Sequence, residues 1–400
     1  MRYLLVPGNN SPSHVAKCLA LQAVLCARGH EARVAVSAAS AGRFPGLEGC
    51  LLPDIQESDG AGYPTPEWFR DPRRLAACVQ AEVELLRAWR PDRVLGVFRF
   101  TLRASAAIAG IPYDSLACGC MLPEFPGVLG FAPADPGREQ QRAALEAFFR
   151  YAGARASSAL AHLCAPVADI REMLKGERTF LWDFPEFEPL PPAPGVIHVG
   201  PITWPHPAGP GPELDALLAN PRPLAIIASG TCVGSAAMVA RMVRILRRLD
   251  YQVLVAAGGQ ADLMAGLVPE PQVTVLKFPP LAALLGRAAL LVSHGGQMTI
   301  FEALARRVPV LVAPFQPEQA QNGVCLERLG CGARLAGPAV YLGHPGVFSR
   351  ALARETDAGI ERRLEALLLD PRTGERLALA QARIQRTGGV EELADRMESP

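Results

Sequence analysis

Short apolar runs alternate with amphipathic stretches along most of the chain, and this alternation is the first guide to its structure. In the first half, apolar runs predict strands at Tyr3–Val6, Ala32–Val36 and Val94–Phe98, and helical spacing of apolar residues predicts a helix over His14–Ala27. Strands that are separated by helices form βαβ units, in which the strands pair in parallel. The pattern therefore predicts an open α/β domain with a parallel sheet.

The pattern changes in the middle of the chain. Residues 184–223 are crowded with proline and glycine, and proline interrupts helices and central strands because it fixes φ and lacks a backbone donor. After this stretch the alternation restarts with a strand predicted at Leu224–Ala228. We therefore predict a first domain over residues 1–195, a linker over 196–222, a second domain over 223–380, and a terminal helix over 381–400 that folds back on the first domain.

Composition and charge narrow the class of protein. The 400 residues are 50% hydrophobic and carry 40 basic and 39 acidic side chains, a balance typical of a compact soluble protein and not of one that binds nucleic acid. No apolar stretch approaches the length of a membrane span, and the apolar run at the N-terminus is too short for a signal peptide. The ten cysteines lack the C-x-x-C spacing of a metal site, so we expect reduced thiols in a cytoplasmic protein.

Candidate chemistry is concentrated after Ser293, where a predicted strand ends and a predicted helix begins. Gly295 and Gly296 let the backbone approach a ligand, and the first amides of a helix have no partners within it, so this loop suits a diphosphate. Glu302, farther along the helix, can accept hydrogen bonds from ribose hydroxyls. A second strand exit, Ser229-Gly230-Thr231, can supply amides and hydroxyls to the same phosphates, although it also suits an ordinary helix N-cap.

The stretch SHGGQMTIFEALARRVPVLVAPFQPEQAQN resembles the donor-binding signature of the inverting GT-B glycosyltransferases, the family that includes the antibiotic-tailoring and UDP-glycosyltransferases. The opening LLVPGNNSPSHVAKCLALQAVLCARGHE and the later VGPITWP are similar to the family's first strand-loop-helix and interdomain segments. The resemblance implies two Rossmann-like, doubly wound parallel-sheet domains that face a central cleft. It also implies that the first domain binds the acceptor and the second binds the nucleotide sugar.

The resemblance assigns roles to particular residues. His14 would be the general base that takes the proton from the acceptor, a task that suits imidazole near neutral pH. The diphosphate would be bound by Ser229, Gly230, Thr231, His294, Gly295, Gly296, Gln297, Met298 and Thr299. The ribose and base would be bound by Glu302, Lys277, Phe278 and Pro279, and the donor sugar by Glu318 and Gln319, which also suit the start of a helix.

The leaving diphosphate can be stabilised by the helix amides and His294, and the chain contains no Asp-x-Asp. We therefore expect neither a metal nor a cofactor, with the nucleotide sugar acting as co-substrate. The sequence leaves open whether the nucleotide is UDP or dTDP, and it is compatible with a homodimer.

The sequence departs from the family pattern at four places. Met298 replaces a third glycine, Lys277 replaces an aromatic base platform, and Glu318 replaces the aspartate of the usual Asp-Gln pair. The family's orienting carboxylate for the base is missing near Arg99. Arg99 and Arg103 would instead face an acceptor that carries a carboxylate or phosphate, in a pocket completed by Trp68, Phe98 and Met121.

Three functions stay compatible with the sequence. The first is a metal-independent, inverting transfer of a sugar to a small, apolar or amphipathic, natural-product-like acceptor, with closure about the proline-rich linker. The second has the same architecture but a lipid-linked acceptor, as in the peptidoglycan-type relatives. The third is a catalytically silent protein that binds a nucleotide sugar or assists an active enzyme. Met298 and the missing carboxylate favour this third function.

Overall fold

The chain forms two compact units, each built around a six-stranded parallel sheet, which confirms the predicted α/β class. The computed structural model describes residues 1–8, 12–42, 44, 47, 50–53, 56–58, 64–66, 72–163, 165–203, 212–230, 236–258, 272–335 and 346–399, and the statements below concern these residues. The first unit comprises Met1–Pro126, Arg142–Trp204 and Thr387–Pro400, and the second comprises Gly127–Gln141 and Pro205–Arg386.

Two sets of elements build these units. The strands are β1 (Arg2–Pro7), β2 (Glu31–Val34), β3 (Gln56–Ser58), β4 (Pro64–Pro66), β5 (Arg93–Val97), β6 (Tyr113–Ala117), β7 (Arg178–Leu181), β8 (Val196–His198), β9 (Leu224–Ala228), β10 (Gln252–Ala256), β11 (Val273–Leu276), β12 (Ala288–Ser293), β13 (Val310–Val312) and β14 (Gly332–Arg334). The α-helices are α1 (Pro12–Ala27), α2 (Ala38–Ala41), α3 (Pro72–Trp89), α4 (Leu102–Ala109), α5 (Arg138–Ala159), α6 (Pro212–Ala219), α7 (Ala236–Arg248), α8 (Leu281–Leu285), α9 (Gln297–Leu304), α10 (Pro317–Leu329), α11 (Val347–Arg354), α12 (Asp357–Leu369), α13 (Arg372–Arg386) and α14 (Val390–Glu398).

The strand order explains why ligand sites are expected at particular loops. The first sheet has the order β2-β1-β5-β6-β7-β8, and the second has the order β11-β10-β9-β12-β13-β14. The order therefore reverses between β1 and β5 in the first unit and between β9 and β12 in the second. Open α/β sheets bind ligands beyond the carboxyl ends of the strands at these switch points. The residues that follow β1, β5, β9 and β12 include His14, Phe98, Gly230 and His294.

Burial in the sheets and helices follows the periods read from the sequence. All five residues of β6, β9 and β10 are buried, as expected for parallel strands covered on both faces. On α7, Met238, Val239, Met242, Val243 and Leu246 are buried at helical spacing, while Arg248 is exposed to solvent and pairs with Glu361. The apolar pattern therefore sets which face of each element enters the core.

Three predicted domain boundaries differ from the structure. Val196–His198 is not part of a linker but pairs with β7 as the edge strand of the first sheet, where nearby prolines are tolerated because an edge pairs on one side only. Residues 127–141 lie in the first half of the chain but belong to the second unit. The predicted boundary at residue 380 falls inside α13, and the segment assigned to the first unit begins at Thr387.

Candidate functional site

The loop after β12 has the backbone geometry of a ligand-binding turn. Gly295 has φ of +101°, a left-handed conformation that disfavours any side chain, and a Cβ there would lie 2.7 Å from the carbonyl oxygen of Gln319. Gly296 is the N-cap of α9, and in the described part of the chain no side chain caps that helix. The first amides of α9 therefore keep their hydrogen-bonding capacity for a ligand.

His294 is held between two glycines. A Cβ at Gly230 would lie 2.9 Å from the imidazole ring, and a Cβ at Gly296 would lie 2.7 Å from Nε2. The His294 Nδ1 lies 3.3 Å from the carbonyl oxygen of Ala228, so Nδ1 carries a proton and donates it there. Burial lowers the pKa of His294, so the ring is neutral and Nε2 carries no proton. Donation from Nε2 to a phosphate therefore requires the uptake of a proton.

The remaining residues of this loop differ in how deeply they are buried. Gln297 is buried, whereas Met298 and Thr299 are half-buried on the first turn of α9. The amide of Gly295 donates to Ser293 Oγ over 3.1 Å and so shapes the turn. Binding of the diphosphate by the amides that follow Gly295 and Gly296 stays a prediction.

Ser229, which is predicted to bind the diphosphate, has a buried hydroxyl. This hydroxyl lies 3.3 Å from the carbonyl oxygen of Ala257 and 3.4 Å from that of Ala256, at the end of the neighbouring strand. Donation to a phosphate therefore requires the hydroxyl to rotate away from these carbonyls. Thr231 lies outside the described residues.

Glu302 is buried on α9, and no side-chain partner of its carboxylate occurs among the described residues except the nearby charge of Arg306. Burial raises its pKa to about 7, and Arg306 opposes that shift. A carboxylate in this state gains most from a ligand that donates hydrogen bonds to it. Its position on the helix that begins at the phosphate loop suits the two hydroxyls of a ribose.

The predicted base platform follows β11 at the same end of the second sheet. Lys277 and Phe278 are exposed, and Phe278 has 55% of its surface accessible, while Pro279 is buried. The Lys277 carbonyl accepts a bond from the amide of Gly258 over 2.7 Å, which fixes the backbone here. An exposed aromatic ring on a fixed backbone is suited to stacking against a base.

The two predicted donor-sugar residues lie on the first turn of α10 and behave differently. Glu318 is half-buried, and its Oε1 accepts a bond of 2.7 Å from Asn322 Nδ2. Gln319 is buried, and its Oε1 accepts a bond of 2.9 Å from the amide of Phe315. The side-chain oxygen of Gln319 therefore stabilises the turn into α10, and the binding of a donor sugar by this side chain stays a prediction.

Asn322 is a residue of this site that the role assignments missed. It is fully buried, and its Nδ2 donates both to the carbonyl oxygen of Gly295, 2.8 Å away, and to Glu318. Asn322 thus links the loop after β12 to Glu318, the residue predicted to bind the donor sugar. The signal was present in the sequence, because Asn322 closes the signature that resembles the glycosyltransferase family.

A segment from the first half of the chain reinforces α10 from within the second unit. The amide of Gly130 donates to Gln321 Oε1 over 3.1 Å, and its carbonyl accepts from Arg334 Nη1 over 2.8 Å. Arg334 also pairs with Asp135 over 2.9 Å, and Gly323 leaves the space that its aliphatic stem fills. The segment 127–141 therefore contacts the helix that carries Glu318.

In the first unit, His14 is buried and its orientation is fixed. Its Nδ1 lies 2.9 Å from the carbonyl oxygen of Gly8, which can only accept, so Nδ1 is protonated and Nε2 keeps a free lone pair. Burial, with the charge of Lys17 as a second cause, lowers the pKa of His14 to about 3. The imidazole is therefore neutral at physiological pH, and a backbone carbonyl replaces the orienting carboxylate that the family uses.

Aromatic rings pack around His14. Its ring centroid lies 5.5 Å from that of Phe98 and 5.8 Å from that of Trp182. The ammonium of Lys17, one turn along α1, lies 4.5 Å above the Trp182 ring. Trp182 and Lys17 were missed from the sequence because β7 is far from α1 along the chain. Trp182 directly follows β7, a strand that the sequence analysis did not predict.

The predicted acceptor residues do not form one surface. Arg99 is fully buried and pairs with Glu82 over 2.8 Å, so the prediction that it faces an acceptor is wrong. Arg103 is exposed and donates to the carbonyl of Glu172. Phe98 and Met121 are half-buried, and Trp68 lies outside the described residues.

The described residues hold neither a metal-binding cluster nor a membrane-spanning helix. No group of three or more histidine, cysteine, aspartate or glutamate side chains could hold a metal ion there. Within the same residues, no helix combines the length and apolar character needed to cross a membrane.

The second unit matches a known domain family. Residues 236–336 match the glycosyltransferase family 28 C-terminal domain, a range that includes the His294 loop, Glu302 and Asn322. A PGL/p-HBAD biosynthesis rhamnosyltransferase of Mycobacterium bovis (strain BCG / Pasteur 1173P2) is 28% identical over 322 residues, which cover 72% of this chain and 68% of the relative.

Solved structures extend the similarity to the whole chain. The spinosyn forosaminyltransferase SpnP gives a TM-score of 0.72 at 22% identity and covers 100% of this chain and 98% of its own. The glycosyltransferase VinC in complex with DTDP gives a TM-score of 0.68 at 16% identity and covers 99% of this chain and 100% of its own. These likenesses show the shared fold. Residues 236–336 therefore carry a glycosyltransferase family 28 C-terminal domain, and the whole chain has the GT-B fold of the glycosyltransferases that it resembles.

Proposed function

We propose that this glycosyltransferase moves a sugar from a nucleoside diphosphate sugar to a hydroxyl of a small natural-product-like acceptor, with inversion and without a metal. The nucleotide is dTDP or UDP, and the complex of the similarly folded VinC with DTDP supports the first of these. The proposal assigns the donor to the loop between β12 and α9, and the activation of the acceptor to His14.

The observation that carries the proposal is the orientation of His14. Because Nδ1 donates to the Gly8 carbonyl over 2.9 Å, the lone pair of Nε2 is ready to accept a proton. In the proposed step an acceptor hydroxyl gives its proton to Nε2 while its oxygen attacks the anomeric carbon. The bond from that carbon to the diphosphate oxygen breaks on the opposite face, so the configuration inverts.

The low pKa of His14 shapes this step. A base whose conjugate acid has a pKa of about 3 is always available, but it holds a proton weakly. Proton transfer then has to be driven by bond formation to the anomeric carbon, and acceptors with more acidic hydroxyls react faster. The apolar surroundings given by Phe98 and Trp182 suit an apolar acceptor.

Charge on the leaving diphosphate is balanced by the first amides of α9 and by His294. The amides lie on a fixed backbone, and donors that are already oriented stabilise developing charge without reorganisation. His294 contributes once Nε2 has taken up a proton. The sequence holds no Asp-x-Asp to recruit a divalent ion to the diphosphate. We therefore expect transfer to continue at the same rate in excess chelator.

The proposal is tested with His14→Ala and a matched control, His162→Ala, whose side chain is exposed in the same unit. Transfer from dTDP- and UDP-sugars to a panel of small hydroxylated acceptors is followed by release of nucleoside diphosphate, and donor affinity is measured by calorimetry. We expect His14→Ala to lose roughly 100- to 10,000-fold in kcat, the usual contribution of a general base, and to retain donor affinity. We expect His162→Ala to match the wild type.

The anomeric configuration of the product, read by NMR coupling constants, tests inversion separately. Retained configuration would exclude direct displacement. Donor binding without turnover on any acceptor would instead support a catalytically silent protein that binds nucleotide sugars.

A further inference from the structure

A buried ion pair lies beneath the loop that holds His14. Arg99 has none of its surface exposed, and its Nε donates to Glu82 Oε1 over 2.8 Å. The same carboxylate accepts from Thr101 Oγ1 over 2.6 Å and from Ser105 Oγ over 2.5 Å. Burying two charges costs several kcal/mol for each ion, so a pair of this kind often gives little net stability. Stability alone therefore does not explain why Arg99 and Glu82 are paired in the core.

Arg99 extends from this pair to the end of β1. Its Nη1 lies 3.4 Å from the carbonyl oxygen of Pro7, the last residue of β1. Its Nη2 lies 3.3 Å from the carbonyl oxygen of Pro53 and 3.0 Å from Cys78 Sγ. Pro7 directly precedes Gly8, whose carbonyl fixes the proton of His14. The Arg99 guanidinium thus contacts the Pro7 carbonyl, which is one residue before the Gly8 carbonyl that orients His14.

The residue before Arg99 makes the second contact with the same loop. Phe98 has φ of +52°, a left-handed conformation that is strained for a residue other than glycine. In this conformation its carbonyl oxygen lies 2.5 Å from the point that a Cβ on Gly8 would occupy, and its ring contacts His14. The Gly8 amide also donates to the Val97 carbonyl over 2.7 Å. The ends of β1 and β5 are therefore joined closely around Gly8.

We propose that the buried Glu82–Arg99 pair is a positioning device for His14, which holds Pro7, Gly8 and Phe98 so that the Gly8 carbonyl selects the Nδ1-protonated tautomer. This inference rests on the proposed role of His14 as the base. Glu82 and Arg99 act through the backbone and do not touch a substrate. The Glu82 carboxylate, on α3, thus helps to orient His14 indirectly. It binds Arg99, and Arg99 binds the carbonyl of Pro7 next to Gly8.

The inference is tested with the double variant Arg99→Met/Glu82→Gln, which removes both charges and leaves no unpaired buried ion. Its control is Arg93→Met/Asp114→Asn, at the opposite end of β5, where Arg93 lies 3.0 Å from Asp114 and Asp114 also pairs with Arg178 over 2.8 Å. The readouts are the unfolding transition, donor affinity, kcat, acceptor KM, and the ¹⁵N chemical shifts of the His14 ring, which distinguish the two tautomers.

We expect Arg99→Met/Glu82→Gln to lose roughly 10- to 100-fold in kcat, the effect of misplacing a catalytic group by about 1 Å, with donor affinity unchanged. The ¹⁵N shifts of His14 should then report a mixture of tautomers. The control pair should lower stability and leave kcat and the His14 tautomer as in the wild type.

If the double variant does not fold, Arg99→Lys provides the same test, because lysine keeps the charge but cannot donate to Glu82 and Pro7 together. A folded variant with wild-type kcat, or with the Nδ1-protonated tautomer intact, would overturn the inference. If His14→Ala retained transfer, the proposed function would fail, while the ¹⁵N shifts would still report whether Arg99 orients the ring.

Discussion

The side-chain amide of Asn322 donates a hydrogen bond to the carbonyl oxygen of Gly295 over 2.8 Å and so ties α10 to the loop that precedes α9. The same nitrogen donates to Glu318 over 2.7 Å. Asn322 is fully buried, so both bonds form without competition from solvent. This single residue therefore couples the shape of the proposed phosphate loop to the position of the proposed sugar ligand.

We expect Asn322→Ala to weaken donor binding by roughly tenfold or more and to lower the free energy of unfolding by about 1 to 3 kcal/mol, because a buried carbonyl loses its partner. Calorimetric titration with a nucleotide sugar and denaturant unfolding measure the two effects. The control is Asn220→Ala, which loses a bond of 2.8 Å to Gln252 at the start of β10. That variant should lose stability but keep donor affinity, and equal donor affinity in both variants would contradict the assignment.

Gly296→Ala tests the space around His294. The added Cβ would lie 2.7 Å from Nε2, closer than real contacts allow, so the imidazole has to move. We expect donor affinity to fall by roughly tenfold, the loss of one charge-assisted hydrogen bond to a phosphate. Gly374→Ala is the control, because a Cβ there meets nothing within 4 Å and the helix gains propensity. Unchanged donor affinity in Gly296→Ala would show that His294 Nε2 does not contact the donor.

Glu302→Gln tests the carboxylate whose pKa is raised from 4.5 to about 7 by burial. Accepting two ribose hydroxyls requires the ionised form, so binding releases a proton below pH 7, and affinity should rise by about tenfold in total from pH 6 to pH 8. A nucleotide sugar is used because its diphosphate does not titrate in this range. His294 contributes the opposite slope in both proteins, so the difference between wild type and Glu302→Gln isolates Glu302. Equal slopes would exclude the role.

The same pKa shift has a consequence for the stability of the ligand-free protein. The folded state holds the Glu302 proton up to about pH 7, whereas the unfolded chain releases it near 4.5. The free energy of unfolding therefore falls as pH rises from 4.5 to 7, by about 3 kcal/mol in total. We expect Glu302→Gln to lack this fall and to be more stable than the wild type above pH 7 in denaturant titrations.

Arg28→Ala tests how the last segment is held to the first unit. Arg28 pairs with Glu391 over 2.5 Å, with Asp395 over 2.6 Å and with Glu398 over 3.0 Å, all on α14. We expect a lower melting temperature at low ionic strength and a smaller difference at high salt, because salt screens partly exposed charges. Arg33→Ala is the control, since Arg33 is more exposed and pairs only with the nearby Glu31 among the described residues. An equal, salt-independent change in both variants would contradict this account.

The sequence predicted the local features of the fold that are set by short stretches of the chain. Strand Leu224–Ala228 has the predicted bounds, and the glycine loop after Ser293 leads into a helix as expected. Apolar periodicity and glycine positions are read over a few consecutive residues, so the single chain contains all the information needed. The same holds for the family resemblance, which rests on one continuous signature.

The partners of the buried polar groups were decided only by the tertiary structure. Arg99 was expected to face a ligand, but Glu82, 17 positions away on α3, neutralises it in the core. Asn322 meets Gly295 across 27 positions because parallel strands bring their carboxyl ends to one edge. The residues near a charged or amide side chain in the sequence do not indicate which distant atom will be its hydrogen-bond or ion-pair partner. Such pairings depend on the packing of whole elements, and they determine which predicted residues are free to bind a substrate.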